Sequence, residues 1–472
     1  MELSNELVRA VLSLIEDLFS GRENRKLKRH EFYRNQKIGY EAKHGMLRFY
    51  QNEITRYKNS INYITNKTLR AMNIERNYHT RTSLLNGFRL LTYTHFYDIR
   101  NFETILQSLI TYIRSMDPSS LAHKRSAPLI QRFSEKLASF SWKIALEHKP
   151  VEAQLSIRYS IPSFFIRHLK NVMDYKDMMA NMQTMDAYPS VGISGLYIRG
   201  AGLKSQGWKG LVPEQREILL ILERLGVKFD NNRMFPGLFI FRNNDKDAIV
   251  GSDVFRADKI EILDPVSYLA VNILNPSEND RIGDFCAAPG TKTLVISDFT
   301  DYKAQIFCTD FHFNRLSAIH SRYRDMPSKQ LLSINCDAIN YPLRSNNFFD
   351  KILLDAPCTG SGTFGSNPEL KWKQSGEFLK RNVYLQKKML VRAYELLKPG
   401  GNLVYSVCSM YPEEGEQQVV SVLDKYKLMD LPENLPEGYN LSPELSSGCA
   451  RFHPNFLGTG GFFIAKLQKP ES

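Results

Sequence analysis

Two cysteines stand where chemistry is expected. Cys358 lies in "LLDAPCTGSGTF" (353–364) and Cys408 in "LVYSVCSMYPEEGE" (403–416). Each ends a run of apolar residues that suits a buried strand, and each is followed by residues that turn the chain. An acid, Asp355, precedes Cys358 on the same loop. A thiolate adds well to soft electrophiles and also leaves well, so a thiol beside a carboxylate suits covalent catalysis. Its free pKa of about 8.5 has to be lowered, or a base has to take its proton, before it acts near neutral pH. The other four cysteines are Cys286, Cys308, Cys336 and Cys449, and no two of the six form a CxxC pair. No zinc or disulfide framework, and no metal, is expected. Cys308 and Cys336 sit within strand-like runs and read as small buried hydrophobes, and Cys449 reads as inert.

The elements that position these residues alternate. Strands are expected at 281–285, 305–309, 331–336, 350–354, 402–407 and 462–466. Helices are expected at 290–298, 313–324 and 377–398, the last closed by "KPGG". This order predicts an α/β fold with a Rossmann-like, doubly wound sheet. In such sheets ligands bind outside the carboxyl ends of the strands. Those ends carry a series of acids: Asp284, Asp310, Asp337 and Asp355. The first strand runs into Cys286, Ala287, Ala288, Pro289 and Gly290, small residues that let a ligand approach the backbone. A second-strand acid suits a ribose diol, and a third-strand acid an adenine amino group. A single acid at a strand end more often caps a turn or helix; four in register point to a nucleoside cofactor. The turn lacks both GxGxxG and GxxxxGK[ST]. S-adenosylmethionine has no phosphate and needs neither motif.

The 472 residues exceed one ordinary core and predict two or three domains. Residues 1–150 read as helical, with Leu7, Val11, Leu14, Ile15 and Leu18 at helical spacing. Residues 151–262 read as a small α/β domain. Within it, Ser160 and Pro162 would start a helix, "GISGLYIR" and "GLFIFR" are strand-like, and "PEQREILLILERLGV" is a helix closed by Gly226. Residues 263–472 hold the Rossmann-like sheet. A formal net charge of +12 favours a polyanionic partner. The segment "GRENRKLKRHEFYRNQK" (21–37), with Phe32 and Tyr33, reads either as a solvated face or as a phosphate-binding surface with rings for stacking. No apolar run approaches the ~18 residues of a membrane span. The N-terminus fits an amphipathic helix and not a secretory signal, and unpaired cysteines favour a cytoplasmic location.

The motifs "DFCAAPGTKT", "DAPCTGSGTF", "NPELKW", "YSVCSMYPEEGE" and "GTGGFFIAKL" resemble the successive motifs of the Sun family of RNA cytosine-5 methyltransferases. "ILDPVSYLAV" (262–271) resembles that family's lead-in segment, and "YSIPSFFIRHL" (159–169) the start of its small substrate domain. The likeness covers roughly 155–470. The helical first third resembles, more faintly, the antitermination-factor-type RNA-binding domain of bacterial ribosomal members. The resemblance implies that Cys286, Ala287, Ala288, Pro289, Gly290, Thr291, Lys292, Asp310, Asp337 and Asp355 contact S-adenosylmethionine, and that Cys408 is the nucleophile. Cys358 would then assist release. The chain departs from the family pattern at Thr291, where a second glycine is usual, and at Val407, where a threonine is usual. Neither change removes a reactive group.

The groups themselves support such a reaction. Carbon 5 of a pyrimidine is a poor nucleophile until a thiolate adds at carbon 6 and makes an enamine of the ring. An acid near N3 stabilises charge during addition, and Asp355 lies on the right loop. After methyl transfer, the carbon-5 proton must leave before the thiolate is expelled, which gives a second cysteine a use. From the groups alone, Cys358 and Cys408 are almost interchangeable as nucleophile. Lys292 is either a helix-surface lysine or an ammonium facing the cofactor or base, and Trp372 either stacks a base or packs in a core. "PEEGE" (412–416) reads as the acidic first turn of a helix. The expected partner is RNA, ribosomal or transfer, with its target base out of the stack; a monomer suffices. The alternative is a non-catalytic RNA-binding or assembly factor on a methyltransferase fold. DNA cytosine methylation and exocyclic-nitrogen methylation leave the second cysteine without a use.

Overall fold

The run "FDKILLD" carries apolar residues that can be buried on both faces, the pattern of a strand inside a parallel sheet. In the computed structural model it is β8 (Phe349–Asp355), central in an eight-stranded sheet. Residues 4–20, 42–74, 82–115, 126–187, 192–199, 213–323, 330–343, 346–442, 445 and 447–471 are described. The basic stretch 21–37 lies outside them. The chain divides into two compact units, one of residues 1–167 with 367–372 and one of residues 168–366 with 373–472.

The described part of the first unit is helical. Asn5–Phe19 starts at Ser4, whose hydroxyl accepts from the Leu7 N–H at 3.4 Å, and buries Leu7, Val11, Leu14, Ile15 and Leu18. Its core is shared with Ala42–Arg56, Lys58–Ala71, Thr82–Tyr97, Phe102–Ser115 and Ser126–Ala138. Ser160 does not cap the helix Ser163–Leu169. It takes a left-handed φ of 50° and its hydroxyl accepts from the Asn59 N–H at 2.8 Å. Trp372 packs within this unit, its Nε1 donating to the Thr55 carbonyl at 2.9 Å.

The second unit holds two sheets. The smaller has the order β2 (Phe229–Asn231), β3 (Phe239–Arg242), β1 (Ile193–Ile198), β4 (Ile260–Leu263), all antiparallel. The larger runs β10 (Lys427–Met429), β12 (Phe462–Gln468), β9 (Leu397–Val407), β8, β5 (Arg281–Phe285), β6 (Gln305–Asp310), β7 (Leu331–Asn335), with β11 (Cys449–Phe452) paired to β12. Strands β9 through β7 are parallel, and β12 joins β9 antiparallel. The chain leaves β5 for β6 and β7 on one side and returns to β8 on the other. The switch point therefore lies at the carboxyl ends of β5 and β8.

"KPGG" does not close a helix directly before the strand. The helix Gly376–Leu396 stops at Leu396, and Lys398–Gly401 form a bulge inside β9, between the pairs Phe349–Leu397 and Lys351–Asn402. Gly400 carries the positive φ of 75° that the bulge requires.

Candidate active site

Strand pairing brings the two cysteines together. Asp355 ends β8 opposite Ser406 of β9, and the Ala356 N–H donates to the Ser406 carbonyl at 2.9 Å. Cys358 and Cys408 lie just beyond, their Sγ atoms 3.2 Å apart and both unoxidised. Contact with the Cys408 sulfur, then burial, pushes the Cys358 thiol well up from its ordinary range. Either sulfur can be the donor in this contact.

Buried charges hold both loops. Glu414 accepts from the Thr359 N–H at 2.9 Å, the Thr359 hydroxyl at 2.5 Å and the Gln386 amide at 3.0 Å. Burial nonetheless pushes its pKa up. Glu416 and Arg451, both fully buried, pair at 2.6 Å, and Arg451 also donates to the Ser409 carbonyl at 2.6 Å. "PEEGE" does lead into a helix with an acid, Glu416, in its first turn, but that acid is buried and paired. Its short helix, Glu416–Val420, begins at a buried ion pair, and Glu414 braces the residue after Cys358. Hydropathy patterns carry no signal for such pairs, so the sequence reading missed Glu414, Glu416 and Arg451 as supports.

Lys292, in the first turn of the helix Thr291–Phe299, donates to Asp355 Oδ2 at 2.6 Å, while the Ser406 hydroxyl donates to Oδ1 at 2.8 Å. Burial alone would lower the lysine's pKa, but Asp355 and Asp284 hold it above its usual value. Lys292, Asp355 and Cys408 line one cavity of about 360 Å³. Asp264, Ser194 and the Gly460–Phe462 segment complete much of its wall. Asp264 caps the helix Pro265–Leu274 through the Val266 N–H at 2.8 Å. The sequence reading quoted its motif without assigning it a role. Gly362 sits where a Cβ would overlap the Gly461 carbonyl, so only glycine lets these two loops meet. The Cys358 sulfur reaches this cavity through Cys408 and does not line the wall.

Of the expected cofactor residues, Lys292 and Asp355 line that cavity, and the others lie along the strand ends outside its wall. Cys286 adopts φ 65° and Gly290 φ 100°, turning the chain from β5 into the helix. The Ala287 N–H donates to the Thr309 carbonyl at 2.8 Å, and Arg315 donates to the Ala288 carbonyl at 2.7 Å. Ala288 and Pro289 form the intervening turn, and Thr291 begins the helix. Burial, with Asp310, Asp355 and Asp284 nearby, pushes the Cys286 thiol up, which suits backbone contact rather than nucleophilic attack.

The donor set fits S-adenosylmethionine. Asp284 is fully buried: Oδ2 accepts from Thr293 at 2.5 Å, and Oδ1 has no hydrogen-bond partner among the described residues. Burial raises its pKa to about 7. Asp310 Oδ1 accepts from the His312 N–H at 2.9 Å, and Asp337 Oδ1 from the Ile339 N–H at 3.0 Å, which fixes both carboxylates at the strand ends. Such a row suits ribose hydroxyls, an adenine amine and a sulfonium. Among the described residues no cluster of three or more His, Cys, Asp or Glu could hold a metal, and no helix is long and apolar enough to cross a membrane.

Residues 271–468 match the family model described as 16S rRNA methyltransferase RsmB/F. The chain is 28% identical over 229 residues to the probable ribosomal RNA small subunit methyltransferase B of Bacillus subtilis, covering 48% of this chain and 51% of that protein. It is 33% identical over 216 residues to the 28S rRNA (cytosine-C(5))-methyltransferase of Mus musculus, covering 43% and 27%. The chain thus spans about half of the bacterial relative and about a quarter of the mouse one. A methyltransferase homolog protein from Pyrococcus horikoshii aligns with TM-score 0.57 at 25% identity, over 68% of this chain and 99% of that one. The crystal structure of PH0851 shares the fold over 99% of this chain and 100% of that one, with TM-score 0.69 at 22% identity. Residues 271–468 are thus similar to the methyltransferase domain of the RsmB/F type.

Proposed function

We propose that the chain transfers a methyl group from S-adenosylmethionine to carbon 5 of a cytosine in ribosomal or transfer RNA, through a covalent adduct. The observation that carries this reading is the 3.2 Å contact between Cys358 and Cys408, beside a cavity that also holds the Lys292–Asp355 pair. The ribosomal and cytosine-C(5) activities of the relatives support it. Residues 1–150 would grip RNA, 151–262 would help present the base, and 263–472 would perform the reaction. Six free thiols fit a reducing cytoplasm.

Cys408, its thiol proton lost to solvent, adds as thiolate to carbon 6 of an unstacked cytosine. Negative charge then grows on N3 and the ring carbonyl. Asp355 is already bound by an ammonium, so the donor this pair offers the ring is Lys292, with Asp355 orienting it. When bound, S-adenosylmethionine supplies the methyl group as an electrophile on a sulfonium. Asp310 and Asp337 would hold its ribose and adenine, and the turn Cys286–Thr291 would contact it through the backbone.

Release requires loss of the carbon-5 proton. Once Cys408 is a thioether, the largest influence raising the Cys358 pKa is gone. Cys358 therefore becomes a better proton acceptor at the step that needs one. Cys358 first gives its thiol proton to solvent; the resulting thiolate takes the carbon-5 proton, the freed electron pair forms the 5,6 double bond, the carbon 6–sulfur bond breaks, and Cys408 leaves as thiolate.

The test is transfer of labelled methyl from S-adenosylmethionine to total cellular RNA, followed by digestion to nucleosides. Label in 5-methylcytidine is expected. Label on an exocyclic nitrogen, or none in RNA, contradicts the reading.

A further inference from the structure

The helix Lys58–Ala71 carries a polar stripe that the cysteine chemistry does not use. Asn59, Asn62, Asn66 and Arg70 recur at three- and four-residue spacing and so share a face. Ile61, Ile64, Thr65, Thr68 and Leu69 are buried on the other side. Two depressions lie along the stripe, of about 500 Å³ and about 200 Å³, and Asn59 and Asn62 line both. From Lys58 to Arg70 the helix rises about 18 Å.

The linings share one chemistry. Lys67, Arg70 and Lys149 face the larger depression, and Lys58 and Arg89 the smaller. None of the described residues lining either is acidic. Each depression also holds a ring beside a cation. Lys149 Nζ lies 5.4 Å from the Tyr63 ring centroid, and Lys58 Nζ lies 5.7 Å from that of Trp372. Both rings are fixed by their polar atoms: the Tyr63 hydroxyl donates to the Ala145 carbonyl at 2.6 Å, and Trp372 is held by Thr55. Arg89 donates to Asn62 Oδ1 at 3.2 Å, which directs that side chain's amide nitrogen away as a donor.

We infer that this stripe is a docking groove for a single-stranded stretch of RNA. Lys67, Arg70 and Lys149, in a lining that holds no acidic residue, match phosphates; the Asn62 and Asn66 amides match base edges; and fixed rings beside cations match an unpaired base. An acidic polypeptide would satisfy the cations but leave the amides and rings without a use. The groove rests on the reading of the chain as an enzyme acting on RNA, and gives that RNA a place to be held.

The test uses the full chain and a labelled, unstructured 12-nucleotide RNA, with binding followed across a salt series. The variant Lys67→Glu/Arg70→Glu changes two exposed side chains. Arg132→Glu, exposed on another helix of the same unit, controls for net charge. The double variant is expected to weaken binding on the order of tenfold and to flatten the slope of log K against log salt by about 1.4, from two lost phosphate contacts on a single strand. The control should stay within about twofold. Equal losses in both, an unchanged slope, no binding by the wild type, or competition by poly-glutamate as strong as by RNA would each overturn the groove. Methyl transfer to RNA is assayed in parallel. Groove-dependent binding without any methyl transfer would sink the enzymatic reading and leave the groove standing.

Discussion

Cys358 and Asp284 are both pushed up in pKa, but for different reasons. The neighbouring sulfur is the main cause for Cys358, so the shift depends on the state of Cys408. Burial is the main cause for Asp284, so its pKa belongs to the folded state. Its folded value of about 7 exceeds the ordinary 3.8, so the native protein binds more protons than the unfolded chain between these limits. Stability contributed by the protonated form is therefore lost as pH rises through that window and is flat above it. Asp284→Asn keeps an acceptor for Thr293 and does not titrate. Between pH 5 and pH 8 the wild type is expected to lose roughly 3 kcal/mol relative to this variant. Urea unfolding of both proteins at the two pH values measures the difference; parallel pH dependence would contradict the assignment. At this scale the row of acids was legible because each follows an apolar run. The Lys292–Asp355 pair was not, because it joins residues 63 apart whose types do not reveal their partner.

The strands that place the cysteines were legible from alternating apolar runs and turns. β5 and β6 begin where expected, and β8 and β9 meet with Asp355 opposite Ser406. The "KPGG" bulge was hidden because proline and glycine signal a helix end and a strand irregularity alike. Less visible still was the tie between β11 and the loop after Cys408, made by Arg451 and Glu416. Neutralising one member of a buried pair strands the other charge, a cost of about 3–5 kcal/mol. Glu416→Gln is expected to destabilise the protein by that order, and Glu416→Leu/Arg451→Met to recover much of the loss. Guanidinium unfolding of the two variants checks this. A Glu416→Gln protein as stable as the wild type would show that the pair does not hold the loop.

At the scale of the whole molecule, the account gives each unit one task. In the proposed reading the groove of the helical unit holds RNA, and Cys408 of the sheet unit makes the bond to the base. Composition points to a polyanionic partner through the excess of Lys and Arg, and motif order made the methyltransferase domain legible. The groove was half legible: its asparagines, Lys67 and Arg70 recur along one helix, but Arg89, Lys149 and Trp372 join them only when separate elements pack. The division of labour between the two thiols is the central claim, and a gel shift that survives denaturation tests it most directly. Wild type, Cys358→Ala and Cys408→Ala are each incubated with cellular RNA and S-adenosylmethionine. The account predicts that Cys358→Ala accumulates a covalent RNA adduct and that Cys408→Ala forms none. An adduct that forms in Cys408→Ala and is absent from Cys358→Ala would contradict it.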